Sequence, residues 1–98
     1  MKDVAISIIN YNTAKYTIAC IDSIITHTSK DLTFDIIVID NNSEPDDFHY
    51  LRNNLQVQEN IILHRSPINK GFGAGHMESL PYVNAHYFLC LNNGSVFL

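Results

Sequence analysis

Three short stretches of this chain end an apolar run in amides and acids. They are Asn10-Tyr11-Asn12 after VAISII, Asp40-Asn41-Asn42-Ser43 after FDIIVI, and Asn92-Asn93-Gly94 after HYFLCL. Amide and carboxylate groups orient a polar ligand through hydrogen bonds, and Tyr11 adds a flat ring. A fourth stretch, NKGFGAGHM (69–77), sets Gly71, Gly73 and Gly75 at alternate positions soon after the apolar run IILHR. Glycines spaced so closely let the backbone approach a ligand, often a phosphate. Metal and thiol chemistry are poorly provided for. His27, His49, His64, His76 and His86 show no HExxH spacing, and Cys20 and Cys90 form no CxxC pair. Both cysteines stand in apolar surroundings and read as buried thiols.

The glycine pattern excludes the common phosphate motifs. A dinucleotide fingerprint opens the first helix directly after the first strand, whereas these glycines follow the third apolar run, and His76 stands where the third glycine would fall. No G-K-[ST] is present for a Walker A loop. Paired acids after the first strand, as a phosphoacceptor needs, are also missing.

The elements that must position these residues follow from periodicity. VAISII (4–9) and FDIIVID (34–40) are continuous branched apolar runs, predicting strands buried on both faces of a parallel sheet. Between them, residues 13–28 carry apolar side chains at helical spacing, with Asn12 or Thr13 available as cap. Residues 43–55 begin like a helix: Ser43 precedes Asp46 by three, Pro45 suits the first turn, and Asp46 and Asp47 read as a solvated acidic start. NIILH (60–64) and HYFLCLN (86–92) predict two more strands, with a short helix starting in the glycine stretch and ending before Pro81. The order β-α-β-α-β-α-β with right-handed crossovers gives an α/β fold, a three-layer open parallel sheet. Ligands of such sheets bind beyond the carboxyl ends of the strands, where the polar stretches fall.

Composition agrees. The chain has 98 residues, 46% apolar and 16% charged, enough for a core of one domain. The net charge of −4 and the scattered basic residues argue against a nucleic-acid partner. No apolar run approaches the ~20 residues of a membrane span, and no signal peptide is visible. The chain reads as cytoplasmic, free or peripheral to the inner face of the membrane.

In this order, ISIINYNTAKYTIACIDSI, FDIIVIDNNS, NKGFGAGH and YFLCLNNG resemble the amino-terminal half of a family 2 glycosyltransferase of the GT-A fold, a Rossmann-like nucleotide-diphospho-sugar transferase. The likeness runs over nearly all of residues 3–96. It implies a single truncated nucleotide-sugar-binding domain, residues 1–98, taken from an enzyme of polysaccharide biosynthesis. The implied ligand is a UDP- or dTDP-type sugar, and the acceptor a glycan or lipid-linked molecule. Asn10, Tyr11 and Asn12 would face the base, Asp40 would accept the pyrimidine N3–H, and Asn42 would stand in the adjoining turn. Asn69, Lys70, Gly71 and Gly73 would lie along the ribose and diphosphate, and Asn92 and Asn93 would touch ribose or sugar hydroxyls.

Two departures stand out. The family's acidic metal motif, whose last carboxylate holds Mg²⁺ or Mn²⁺, is here Asn92-Asn93-Gly94. Gly94 offers no ligand atom, so no metal is expected on this chain. Met77 also stands where relatives carry Asn. The catalytic base and acceptor site belong downstream of residue 98 in the family, so the chain itself is expected to be inactive. The alternative is a non-catalytic interaction domain. With the fourth strand beside the first, the edge formed by residues 86–98 would be bare and would recruit a second copy.

Overall fold

Branched apolar residues at consecutive strand positions are satisfied only when both faces of the sheet are covered. The two richest such runs lie at the centre of the sheet. The structure, a computed structural model, describes residues 1–92, with Asn92 represented by its backbone alone. The strands are β1 (Lys2–Asn10), β2 (Phe34–Asp40), β3 (Ile61–Arg65) and β4 (Ala85–Asn92). The helices are α1 (Ala14–His27), α2 (Pro45–Asn54) and α3 (Gly71–Met77), with a 3₁₀ turn at Leu80–Tyr82. The strand order is β3-β2-β1-β4 and every pairing is parallel. This is the expected α/β architecture. β1 starts at Lys2 rather than Val4, because Lys2 N–H donates to Asn84 O at 3.0 Å and the strand already pairs with β4 there.

The twofold alternation of the strands divides the core. Ile6, Ile8, Ile36 and Val38 pack with Cys20, Ile21 and Ile24 of α1 and Leu51 of α2. Ala5, Ile9, Ile37 and Ile39 face the opposite way, with Ile62, Val83 and Ala85 around them. Each isoleucine so buried stabilises the fold by about 1.5–3 kcal/mol. Gly75 explains how α3 lies so close to β1: a Cβ there would stand 3.0 Å from Ile9 Cδ1. That glycine serves packing, not a ligand.

Four local expectations are corrected. The side chain of Thr13 does not cap α1; Asp47 Oδ1 of α2 accepts the Ala14 N–H at 3.1 Å instead. Asp47 is therefore not a solvated helix start. Ser43 makes no cap for α2, whose N-cap is Glu44; its hydroxyl accepts the Asn12 N–H at 2.9 Å. Cys90 is exposed whereas Cys20 is buried. Cys90 lies on β4, which among the described residues pairs with β1 alone and leaves Tyr87, Phe88 and Leu89 72%, 37% and 44% exposed. No described helix is long and apolar enough to cross a membrane.

Candidate functional site

The register puts Asn10 of β1 directly beside Asp40 of β2, and Asp40 beside Arg65 of β3. All three end their strands, so their side chains meet at the carboxyl edge of the sheet. There they form a closed network. Asn10 Nδ2 faces Asp40 Oδ1 at 2.8 Å, Asp47 Oδ2 at 3.0 Å and Ser43 Oγ at 3.2 Å. Its Oδ1 accepts the Thr17 hydroxyl at 2.6 Å. Asp40 Oδ2 accepts the Ser43 N–H at 3.1 Å and lies 3.7 Å from Arg65 Nε. Arg65 also donates to Ser43 O at 2.9 Å, with its guanidinium 4.3 Å from the centroid of the Phe48 ring.

Asn10 and Asp40 are both 0% exposed. Both carboxylate oxygens of Asp40 are turned inward and engaged by the protein. Asp40 and Asn10 thus take a bracing role within the protein. A buried carboxylate is tolerated because it is paired and hydrogen-bonded. The network fastens the turn after β1 to the turn after β2. Both turns contain an asparagine in the left-handed region, Asn12 at φ 54° and Asn42 at φ 61°. Asparagine accepts that conformation more readily than most side chains. Asn12 Oδ1 also accepts the Glu44 N–H at 2.8 Å, locking the two turns together.

On the other side of this bracing lies a cleft of about 120 Å³, lined by Tyr11, Asn41, Asn69, Gly71 and Phe72. Tyr11 and Phe72 are 44% and 57% exposed, so two aromatic rings stand available at its walls. Asn41 builds the floor. Its Oδ1 accepts the Lys70 N–H at 3.0 Å, and its Nδ2 donates to Asn69 Oδ1 at 3.0 Å and Gly71 O at 3.1 Å. Gly71 has φ 77°, which a side chain would strain. A Cβ on Gly71 or Gly73 would meet nothing within 4 Å, so both face open space.

The cleft thus joins Tyr11, Asn69 and Gly71 of the expected site, and Gly73 stands open in the same helix. Asn12 instead lines a second cleft of about 210 Å³ with Lys15, Tyr16, Asp47 and Tyr50. Lys70 contributes its backbone, but its Nζ pairs with Glu78 Oε1 at 2.5 Å. That ion pair, with Ser66 also donating to Oε1, lowers the pKa of Glu78. His76 turns inward, its Nδ1 2.8 Å from Ser7 Oγ, and burial pushes its pKa below the ordinary value. Asn42 is exposed in its turn. Asn93, Gly94 and the side chain of Asn92 lie outside the described residues. Asn41 and Phe72 were not among the expected contacts. The alternation of β2 held the signal for Asn41, since it follows the parity of Ile37 and Ile39 toward α3, opposite to Asp40.

A divalent ion requires several oxygen ligands. Among the described residues no group of three or more His, Cys, Asp or Glu could hold one. The oxygens of Asp40 and Asp47 are directed at protein donors.

The family model for glycosyl transferase family 2 matches residues 5–96. S. aureus TarS (residues 1–349), solved in complex with UDP-GlcNAc, is similar with a TM-score of 0.75 and 19% identity, over 94% of this chain and 26% of that one. Its complex with UDP gives 0.72 and 20%, over 94% and 27%. The mannosyltransferase PcManGT from Pyrobaculum calidifontis, solved with GDP-Man and Mn²⁺, gives 0.78 and 14%, over 99% and 30%. The chain thus spans less than a third of the length of these structures. No curated protein matches it.

Proposed function

Since this chain belongs to glycosyl transferase family 2, we propose that the cleft between Tyr11 and the Asn69–Phe72 turn holds the nucleotide part of a nucleotide-diphosphate sugar. The observation that carries this is the pairing of two exposed aromatic rings with an open glycine-bearing backbone at the carboxyl edge of a parallel sheet. The base lies against a ring and the ribose and diphosphate run along Gly71 and Gly73. The similar structures were solved with UDP, UDP-GlcNAc and GDP-Man, which supports a nucleotide donor. Asn10, Asp40 and Arg65 act behind the site, holding the Tyr11 turn in place.

The wider reaction is transfer of the sugar to a glycan or lipid-linked acceptor in polysaccharide biosynthesis. A base on the acceptor hydroxyl drives displacement at the anomeric carbon, and the diphosphate departs. No described side chain is placed to act as that base, so the 98 residues are expected to bind without turnover. Binding is expected to be weak, because a cleft of about 120 Å³ is well below the ~300–1,000 Å³ of typical ligand sites. Calorimetry with UDP, dTDP and GDP, each with and without Mn²⁺, tests this. Saturable binding of at least one supports it, and none binding refutes it.

A second reading rests on β4. Its outer edge lies open among the described residues, with Tyr87, Phe88 and Leu89 exposed. Such an edge pairs with a second copy through backbone hydrogen bonds. Light scattering would show a dimer at moderate concentration; a monodisperse monomer refutes this reading.

A further inference from the structure

One carboxylate outside the cleft is left unbalanced. Glu78 lies just beyond α3, and its Oε1 takes the Lys70 ammonium at 2.5 Å. Its Oε2 is buried from solvent and accepts no hydrogen bond among the described residues. A buried carboxylate oxygen without a donor is costly. The group aimed at it is His64 of β3, whose Nε2 stands 3.5 Å away. The other ring nitrogen, Nδ1, is 2.9 Å from the Tyr82 hydroxyl. When that phenol donates to Nδ1, the proton of the neutral ring sits on Nε2 and faces Glu78. Ser66 approaches Oε1 alone, at 3.3 Å. The groups facing His64 are therefore Glu78 and Tyr82, with Lys70 acting through Glu78. Its neighbour on β2 is Ile39, and Arg65 turns toward Asp40 and Phe48. Lys70 also belongs to the cleft, its N–H held by Asn41 Oδ1.

Resting on the nucleotide reading above, we propose that Lys70, Glu78 and His64 form a proton-linked clasp: the donor's diphosphate draws the Lys70 ammonium off Glu78, and His64 takes up a proton to replace it. A diphosphate running along Gly71 and Gly73 carries more than one negative charge, so it outcompetes a single carboxylate for the ammonium. Glu78 then keeps a buried oxygen and no cation, which favours a charged imidazole beside it. The proton comes from water and enters at Nδ1. The Tyr82 hydroxyl turns from donor to acceptor, and Nε2–H goes on facing Oε2. Binding that takes up a proton strengthens as pH falls, over the range in which His64 is neutral in the free chain and charged in the complex.

The probe is UDP-GlcNAc, whose esterified phosphates exchange no proton near neutrality, unlike the terminal phosphate of UDP. Calorimetry on the full 98-residue chain, in buffers of low and high ionisation enthalpy, counts the protons taken up. At about pH 7 the wild type is expected to take up ~0.3–1 proton per ligand. Its affinity is expected to rise about three- to ten-fold between about pH 8 and pH 6. His64→Gln gives Oε2 a neutral donor, so it binds with no uptake and a flat pH profile. Lys70→Met has no ammonium to exchange, so it binds more weakly, also without uptake. Circular dichroism checks that both variants fold. Zero uptake by a wild type that binds overturns the inference and leaves the nucleotide site standing, whichever variant folds. Uptake that persists in either folded variant does the same, because a merely structural contact between His64 and Glu78 moves no proton. If UDP-GlcNAc does not bind the wild type, the inference falls; if UDP, dTDP and GDP fail as well, the proposed function falls with it.

Discussion

Replacing Asn10 by alanine strikes the centre of the network behind the cleft. The Nδ2 group carries two protons, and its two shortest contacts are carboxylate oxygens of Asp40 and Asp47, at 2.8 and 3.0 Å. Hydrogen bonds to charged groups are worth about 1.5–3 kcal/mol each. Thr17 also loses the acceptor it holds at 2.6 Å. These contributions overlap within one network and do not simply add. Asp40, 0% exposed, would keep only the Ser43 N–H and the more distant Arg65. Leaving a buried charge under-paired costs about 3–5 kcal/mol, so a loss of that size is expected against a total of about 5–15. Urea unfolding followed by circular dichroism measures it. Asn42→Gly is the comparator, because Asn42 is exposed with a positive φ that glycine accepts; it should stay within about 0.5 kcal/mol of wild type. An Asn10→Ala loss below about 1 kcal/mol, or an equal loss from Asn42→Gly, would refute the bracing role.

Other perturbations separate packing from binding. Gly71→Ala places a side chain at φ 77° and should destabilise by about 1 kcal/mol, read as a fall in the urea midpoint. Gly73→Ala enters open space within a helix, so it should stabilise by about 0.5–1 kcal/mol while weakening nucleotide binding; calorimetry and urea titration together check both halves. His76 gives a pH dependence. Its folded pKa lies below 6.5 because burial disfavours the charged form, so the unfolded chain binds the extra proton. The stabilising contribution is then fully present above pH 6.5 and is lost as pH falls through the folded value. Thermal midpoints measured from pH 7.5 down to 5 should drop less in His76→Gln than in wild type, and equal slopes would count against it.

The strands were legible because VAISII and FDIIVI carry branched residues at consecutive positions, a pattern only a doubly covered sheet satisfies. The glycine stretch was legible as special but not as three different glycines. Gly75 is needed against Ile9, Gly71 for its φ, and Gly73 faces open space. Nothing local distinguishes those roles, since the first depends on a side chain sixty-six residues away. Asp47 as the cap of α1 was hidden for the same reason, its partner Ala14 lying thirty-three residues earlier. Asp40 drew attention through its charge at a strand end, yet a strand end has two sides. Parity turns Asp40 toward α1 and α2, and Asn41 toward the glycine stretch, and only the handedness of the crossovers says which side is the cleft. The exposure of Cys90 depends on β4 being an edge among the described residues, which its apolar sequence does not announce.

The most direct measurement is a nitrogen–proton correlation spectrum of the chain titrated with UDP. The account predicts saturable shifts at Tyr11, Asn41, Asn69, Gly71 and Phe72, with Lys15, Tyr16 and Tyr50 of the second cleft unmoved. Shifts confined to that second cleft, or no saturable shifts at all, would contradict it.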